Sequence, residues 1–181
     1  MDQNLRTSQD HLWAMGDCIG KYLFKHAADY EAEIVMENAI YGKELETDYS
    51  AMPHAVFTRP EVAAVGISEK KAIEKYGEEK ISIGFAKLKD TVKGQAIEAK
   101  NGFVKVLIHE SGKILGAHLV GPHSSVLIQE LVLAMENNLS VDKVASSVHI
   151  HPALSKVVKF VPKSRFSIAH LHPPLPLLNH L

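Results

Sequence analysis

Phe103-Val104-Lys105-Val106-Leu107-Ile108-His109, then Glu110-Ser111-Gly112-Lys113, then Ile114-Leu115-Gly116-Ala117-His118-Leu119-Val120, is the stretch that decides the fold. Two apolar, β-rich runs flank a Ser-Gly pair, the kind of pair that tight hairpin turns prefer because glycine accepts a positive φ. Residues 92–99 read as another strand, joined to the first run through Asn101-Gly102. The three together predict an antiparallel meander. Further out, residues 55–58, 63–67 and 81–88 also read as strands. Helices are predicted over 68–76, where Ser68 is a plausible N-cap and Gly77 a stop, and from Ser124 and Ser125 to about 137. A short one from Ser140 or Val141 to about 147 precedes His149-Ile150-His151-Pro152. The fold class over about 54–160 is therefore α+β: an antiparallel sheet with helices packed on it.

The flanks differ in texture. Leu12-Trp13-Ala14-Met15 runs into Gly16-Asp17 and reads as a strand entering a loop, and a helical stretch from Lys25 to about Ile40 ends at Gly42. Residues 47–53 are polar and carry a proline, which suggests a linker. Residues 161–181 hold four of the eight prolines, so helix and strand are both disfavoured and an irregular, exposed tail is expected. The helix at 126–135 carries Val126, Leu127, Ile128, Leu131, Val132, Leu133, Ala134 and Met135. It is apolar on more than one face and needs partners on more than one side, which either a core or a subunit interface provides.

Composition narrows the function classes. Hydrophobic residues at 46%, charged residues at 23% and a net charge of −1 describe an ordinary globular chain, with no basic excess to attract nucleic acid or an anionic membrane. No run approaches the roughly 18 apolar residues of a membrane span, and the polar start lacks a signal-peptide core. A single cysteine, Cys18, excludes an internal disulfide and a dithiol redox centre within one copy. These features point to a cytoplasmic, reducing setting.

Three segments carry a resemblance. Leu12-Trp13-Ala14-Met15-Gly16-Asp17 with Phe24-Lys25-His26-Ala27-Ala28 resembles the last strand, loop and helix of the FAD domain in the dihydrolipoamide dehydrogenase and glutathione reductase family. Pro53-His54-Ala55-Val56-Phe57-Thr58-Arg59-Pro60-Glu61-Val62-Ala63-Ala64-Val65-Gly66 is similar to the opening of that family's interface domain. Gly121-Pro122-His123-Ser124-Ser125-Val126-Leu127-Ile128-Gln129, leading to Ile150-His151-Pro152-Ala153-Leu154-Ser155, is closest to the mycothione reductase and dihydrolipoamide dehydrogenase-like branches. The matches run in family order from about residue 5 to 158.

The resemblance implies a division into 1–45, a remnant of the FAD-binding domain; 46–160, the dimerisation domain; and 161–181, the Pro-rich tail. It puts Asp17 on the ribityl chain of FAD. The N-terminus of the following helix, at Lys25, His26 and Ala27, would face the flavin pyrimidine ring, where free backbone N–H groups favour negative charge. His151 takes the family's acid–base position, entering the partner subunit's active site, a task that suits imidazole. The family's supporting glutamate, five residues on, is Lys156 here.

FAD and NAD(P)H are the family cofactors, but the chain has no GxGxxG cradle, no redox cysteine pair and no nicotinamide-binding βαβ unit, so FAD is not expected to bind it alone. The leading expectation is a C-terminal dimerisation portion, inactive by itself, that forms a homodimer or pairs with a full-length relative. The alternatives are a non-catalytic dimerisation module and one half of a split flavoenzyme. His149 and His151, two apart, could share one strand face as metal ligands, but no cysteine or acidic residue lies close in sequence, and no metal is expected. Cys18 reads as an inert loop thiol.

Overall fold

The hairpin at Ser111-Gly112 forms as its residues predict. Strands β4 (Phe103–His109) and β5 (Ile114–Gly121) pair antiparallel, and the turn closes through Gly112 N–H to His109 O at 2.8 Å with Gly112 at φ +87°. The computed structural model describes residues 1–168. Around the hairpin lie β1 (His54–Val56), β2 (Glu61–Gly66), β3 (Ile81–Lys87) and β6 (Arg165–Ser167). The sheet order is β1-β2-β5-β4-β3-β6, with every neighbour antiparallel. The chain divides into two compact units, one over residues 1–52 and the other from Pro53 onward.

The third meander strand is β3, and residues 92–99 are a helical excursion between β3 and β4. Thr91 decides this. Its hydroxyl donates to Leu88 O at 2.8 Å and accepts from Gly94 N–H at 2.9 Å, capping α3 (Val92–Ala96). Gly94 passes so close to Leu88 that an added Cβ would lie 1.8 Å from its carbonyl oxygen. Leu88 N–H to Gly102 O at 2.9 Å brings the excursion back to the sheet, so Asn101-Gly102 closes a loop rather than a two-residue hairpin.

Helix α2 (Glu69–Tyr76) starts at Ser68, whose hydroxyl accepts from Lys71 N–H, and stops at Gly77. It covers the sheet face bearing Ile81, Ile83, Leu107 and Leu115. The helix expected over 124–137 is two segments, α4 (Ser124–Leu127) and α5 (Gln129–Glu136), meeting at Ile128. Its N-cap is His123, at φ +61°, and neither serine. Ser124 Oγ donates to Gly121 O, while Ser125 N–H and Oγ–H both donate to Glu61 Oε2 at 3.0 and 2.8 Å. These two bonds hold the Glu61 carboxyl below its ordinary range. Leu131 is fully buried, whereas Val126 and Leu133 are 67% and 60% exposed, so the inward and outward apolar faces are distinct. Helix α6 (Val141–Ser146) is capped by Ser140.

Residues 161–168 depart from the expected tail. A 3-10 helix, Leu154–Ser164, runs through Pro162 and buries Leu154, Val157, Val158 and Val161. It packs on β3, where Gly84 leaves room for Val161, and the chain then forms β6 and buries Ile168. Burial of these apolar side chains outweighs the single N–H that proline removes. The rest of the expected tail, 169–181, lies outside the described residues.

In the first unit, α1 (Lys25–Tyr41) ends at Gly42 in the left-handed conformation. The strand expected over 12–15 is reduced to one bridge, Arg6 to Trp13. Asn38, buried on α1, accepts from Leu45 N–H at 2.8 Å and donates to Leu45 O and Asn4 O. Among the described residues no helix is long and apolar enough to cross a membrane.

On the α2 face, His54, Ala64, His118, Lys105 and Phe85 form one row across the sheet. His118 Nδ1 is buried without a hydrogen-bond partner, and Lys105 is ion-paired to Glu69. Burial lowers the His118 pKa from its ordinary 6.5, helped by Lys105 and His54 and opposed by Glu69. The unfolded imidazole therefore takes up a proton that the folded one refuses. Stability should fall as pH drops below about 6.5, with a slope from this group of at most one proton, about 1.4 kcal/mol per pH unit. Urea unfolding at pH steps from 7.5 to 5 should show that slope, and His118→Gln should remove its share; an identical slope in the variant refutes the assignment.

Candidate functional site

In the first unit the loop before α1 is built around a buried carboxylate. Gly16, at φ +73°, packs so that an added Cβ would lie 3.4 Å from the Ala28 Cβ, and its N–H donates to Glu31 Oε2 at 2.6 Å. Glu31 is fully buried, and its Oε1 accepts from the Tyr49 hydroxyl at 2.8 Å. A buried charge persists only when its lone pairs are occupied, and here an amide and a phenol share the task. The 3-10 turn Gly16–Ile19 follows, so the exposed Asp17 sits one residue beyond the tie. Cys18 is exposed, with its thiol against Met15 O.

The other residues expected at this site are spread over the first turn of α1. Lys25 Nζ pairs with Asp29 at 2.5 Å, His26 stacks on Phe24 with centroids 5.2 Å apart, and Ala27 is buried with its amide on Phe24 O. Glu31 and Tyr49 are the residues that sequence reasoning missed. A signal existed for Glu31: it shares one helical face with Ala27 and Asn38, and all three are buried. Tyr49 carried none, because its partners Tyr22, stacked at 5.0 Å, and Lys21, 3.8 Å above its ring, are remote in sequence.

In the second unit, the loop between α6 and the 3-10 helix presents His151 on the surface, with Nδ1 3.2 Å from Lys156 Nζ. The residue in the supporting position thus touches the imidazole. An ammonium can only donate, so Nδ1 must accept, and the neutral ring then carries its proton on Nε2. A carboxylate at the same place would reverse this, accepting a hydrogen bond from Nδ1–H and leaving Nε2 to accept. His149 is arranged differently. Its side chain is 4% exposed, Nε2 is 2.9 Å from Glu130 Oε1, and Nδ1 is 3.1 Å from Ser147 O. The two histidines therefore do not share a face as a ligand pair would. Among the described residues no group of three or more histidine, cysteine, aspartate or glutamate side chains could hold a metal ion.

Comparison with known proteins agrees with this architecture. The dimerisation domain of the pyridine nucleotide-disulphide oxidoreductases matches residues 52–161. A dihydrolipoyl dehydrogenase from Synechocystis sp. is 41% identical over 151 residues, 82% of this chain and 32% of that protein. A mycothione reductase from Mycobacterium tuberculosis is 39% identical over 166 residues, 88% of this chain and 36% of its own length. Among solved structures, LpdA from Mycobacterium tuberculosis superposes with a TM-score of 0.81 at 27% identity, covering 90% of this chain and 35% of that one. The HOCl-induced flavoprotein disulfide reductase RclA from Escherichia coli shares the fold, with a TM-score of 0.80 at 23% identity, over 88% of this chain and 37% of its own. The chain spans about a third of the length of the curated relatives it matches.

The Glu31 tie has a spectroscopic consequence. Burial, and then the hydrogen bond to Glu31, pushes the Tyr49 hydroxyl from 10.0 up to about 12. An absorbance titration of phenolate should show one late tyrosine that is absent in Tyr49→Phe. Glu31→Gln keeps an acceptor for Gly16 but removes the charge, and should bring that transition down toward 10. A transition unmoved in Glu31→Gln would show that the carboxylate does not act on Tyr49.

Proposed function

The chain belongs to the pyridine nucleotide-disulphide oxidoreductase family, through the dimerisation domain at residues 52–161, and on that premise we propose that it forms the dimerisation portion of an FAD-dependent NAD(P)H:disulfide oxidoreductase. One observation carries the reading. The Glu130–His149 bond joins the outward face of α4 and α5, with Val126 on the first and Leu133 on the second, to the loop that carries His151. The surface that would bind a second subunit and the imidazole that would enter its active site are therefore continuous. We place such a chain in the cytoplasm, as a homodimer or paired with a longer relative.

In the assembled flavoenzyme, Asp17 would meet the ribityl chain, and the first turn of α1 at Lys25, His26 and Ala27 would face the pyrimidine ring. Asp17 suits this role because it is exposed while Gly16 beside it is fixed by Glu31. The flavin, when bound, supplies electron transfer between the nicotinamide and the disulfide. His151 would exchange the proton of the interchange thiol. A second reading, a dimerisation module without catalysis, is favoured by one contact: Lys156 occupies the Nδ1 side of His151, where a supporting carboxylate is expected.

Two experiments test the proposal. Obligate interfaces bury about 2,000–5,000 Å² and are rich in apolar surface, so the chain should sediment as a dimer at micromolar concentration. Leu131 is a core residue, so the informative variant is Leu133→Asp, which should weaken association at least about ten-fold with an unchanged far-ultraviolet spectrum. A monomeric parent chain refutes self-association. Grafted into a complete relative, the segment should reduce disulfides poorly, and Lys156→Glu should restore about ten-fold or more, since hydrogen bonds to charged groups contribute about 1.5–3 kcal/mol. Flavin reduction by the nicotinamide should not change. Equal rates in the disulfide half-reaction would remove the acid–base role from His151.

A further inference from the structure

We infer that His149, held by Glu130 and the Ser147 carbonyl, is the positioning residue that sets how His151 leaves the surface. From Ser146 to Pro152 every residue except His149 is exposed, with Val148 at 98% and Ile150 at 78%. One side chain thus anchors the whole loop. Its ring faces an acceptor at each nitrogen: Glu130 Oε1 at 2.9 Å from Nε2, and Ser147 O at 3.1 Å from Nδ1. Ser147 O also receives Lys159 Nζ at 3.1 Å, so the end of α6, the outward face of α5 and the 3-10 helix converge on this imidazole.

The geometry fixes direction as well as place. The ring lies between acceptors on opposite sides, Glu130 Oε1 and Ser147 O, and donation to either one fixes its plane and its rotation about the Cβ–Cγ bond. His149 points inward while Val148 and Ile150 on either side of it are exposed, so the backbone that leads into the turn at His151 leaves from a held point. From there the His151 Nδ1 reaches Lys156 at 3.2 Å. Phenylalanine at 149 fills similar volume but makes no hydrogen bond to Glu130, and the segment then loses its tie to α5.

The inference concerns the chain alone; its use in catalysis rests on the proposed acid–base role of His151. The test is carried out on the chain without flavin or nicotinamide, by ring ¹⁵N spectra of the histidines and by amide hydrogen exchange. In the parent, His151 should show an accepting Nδ1. In Glu130→Ala, a change at a partly exposed surface side chain, that preference should be lost. The Ser147 amide, which donates to Val144 O, should exchange at least about ten-fold faster, as expected for loss of a hydrogen bond to a charged group beside it, while β3–β5 keep their protection. His149→Phe should behave in the same way, and Glu130→Gln, which keeps an acceptor oxygen, should restore the parent spectrum. A purely structural anchor would speed exchange without moving the His151 ring signals. An unchanged His151 ring in Glu130→Ala, with the sheet intact, overturns the inference. That result leaves the acid–base reading to the chimera, and an inactive chimera does not affect the ring spectra.

Discussion

Two hydrogen bonds from Ser125, one from its amide and one from its hydroxyl, end on a single carboxylate oxygen of Glu61. Glu61 begins β2 and Ser125 lies in the first turn of α4, so the contact spans 64 residues of sequence. A carboxylate at a helix start satisfies free N–H groups and meets the positive end of the helix dipole. Here it also fixes where α4 and α5 leave the sheet. That direction places Leu131 in the core and Leu133 outside it, and sets Glu130 beside His149. The loop geometry at His151 thus depends, through three contacts, on how one strand meets one helix.

What was legible in the sequence was local. Ser111-Gly112, Ser68 with Gly77, and Ser140 place a hairpin and three helix ends because each acts on residues within one turn of itself. The misreading at 92–99 has the same origin. Its residues suit a strand, but Thr91 bonds to both Leu88 and Gly94, and Gly94 permits an approach no other residue allows. Prolines misled at 161–168, where the apolar residues between them find the sheet. There Val161 lies over Gly84, a position 77 residues earlier that nothing in the tail itself reveals.

The candidate site divides in the same way. Asp17 and His151 could be named from their neighbours in sequence, and the structure places both on the surface. Tyr49 and Glu130 could not, and for Glu31 and His149 the sequence did not reveal the partner, because each of the four meets a group remote in the chain. Each is a polar group that would be costly to bury unless a partner arrives from another element. Such pairs depend on tertiary packing, so they can be read only after the fold is known.

His149 and His151 lie two residues apart and meet opposite charges, Glu130 on one and Lys156 on the other. The difference follows from which way each side chain points. The charged partner of the inward histidine comes from α5, so it was set when the helix was placed. The outward histidine is reached by the residue five positions later, on the far side of Pro152, so its partner depends on one local position. Positioning and proton exchange are therefore separable. Replacing residue 156 changes which nitrogen of His151 carries its proton but leaves the Glu130–His149 anchor and the outward face of α5 untouched. The outward face of α5 can persist here whichever nitrogen of His151 carries its proton, so the contact at Lys156 bears on the proposed acid–base role and not on the proposed association.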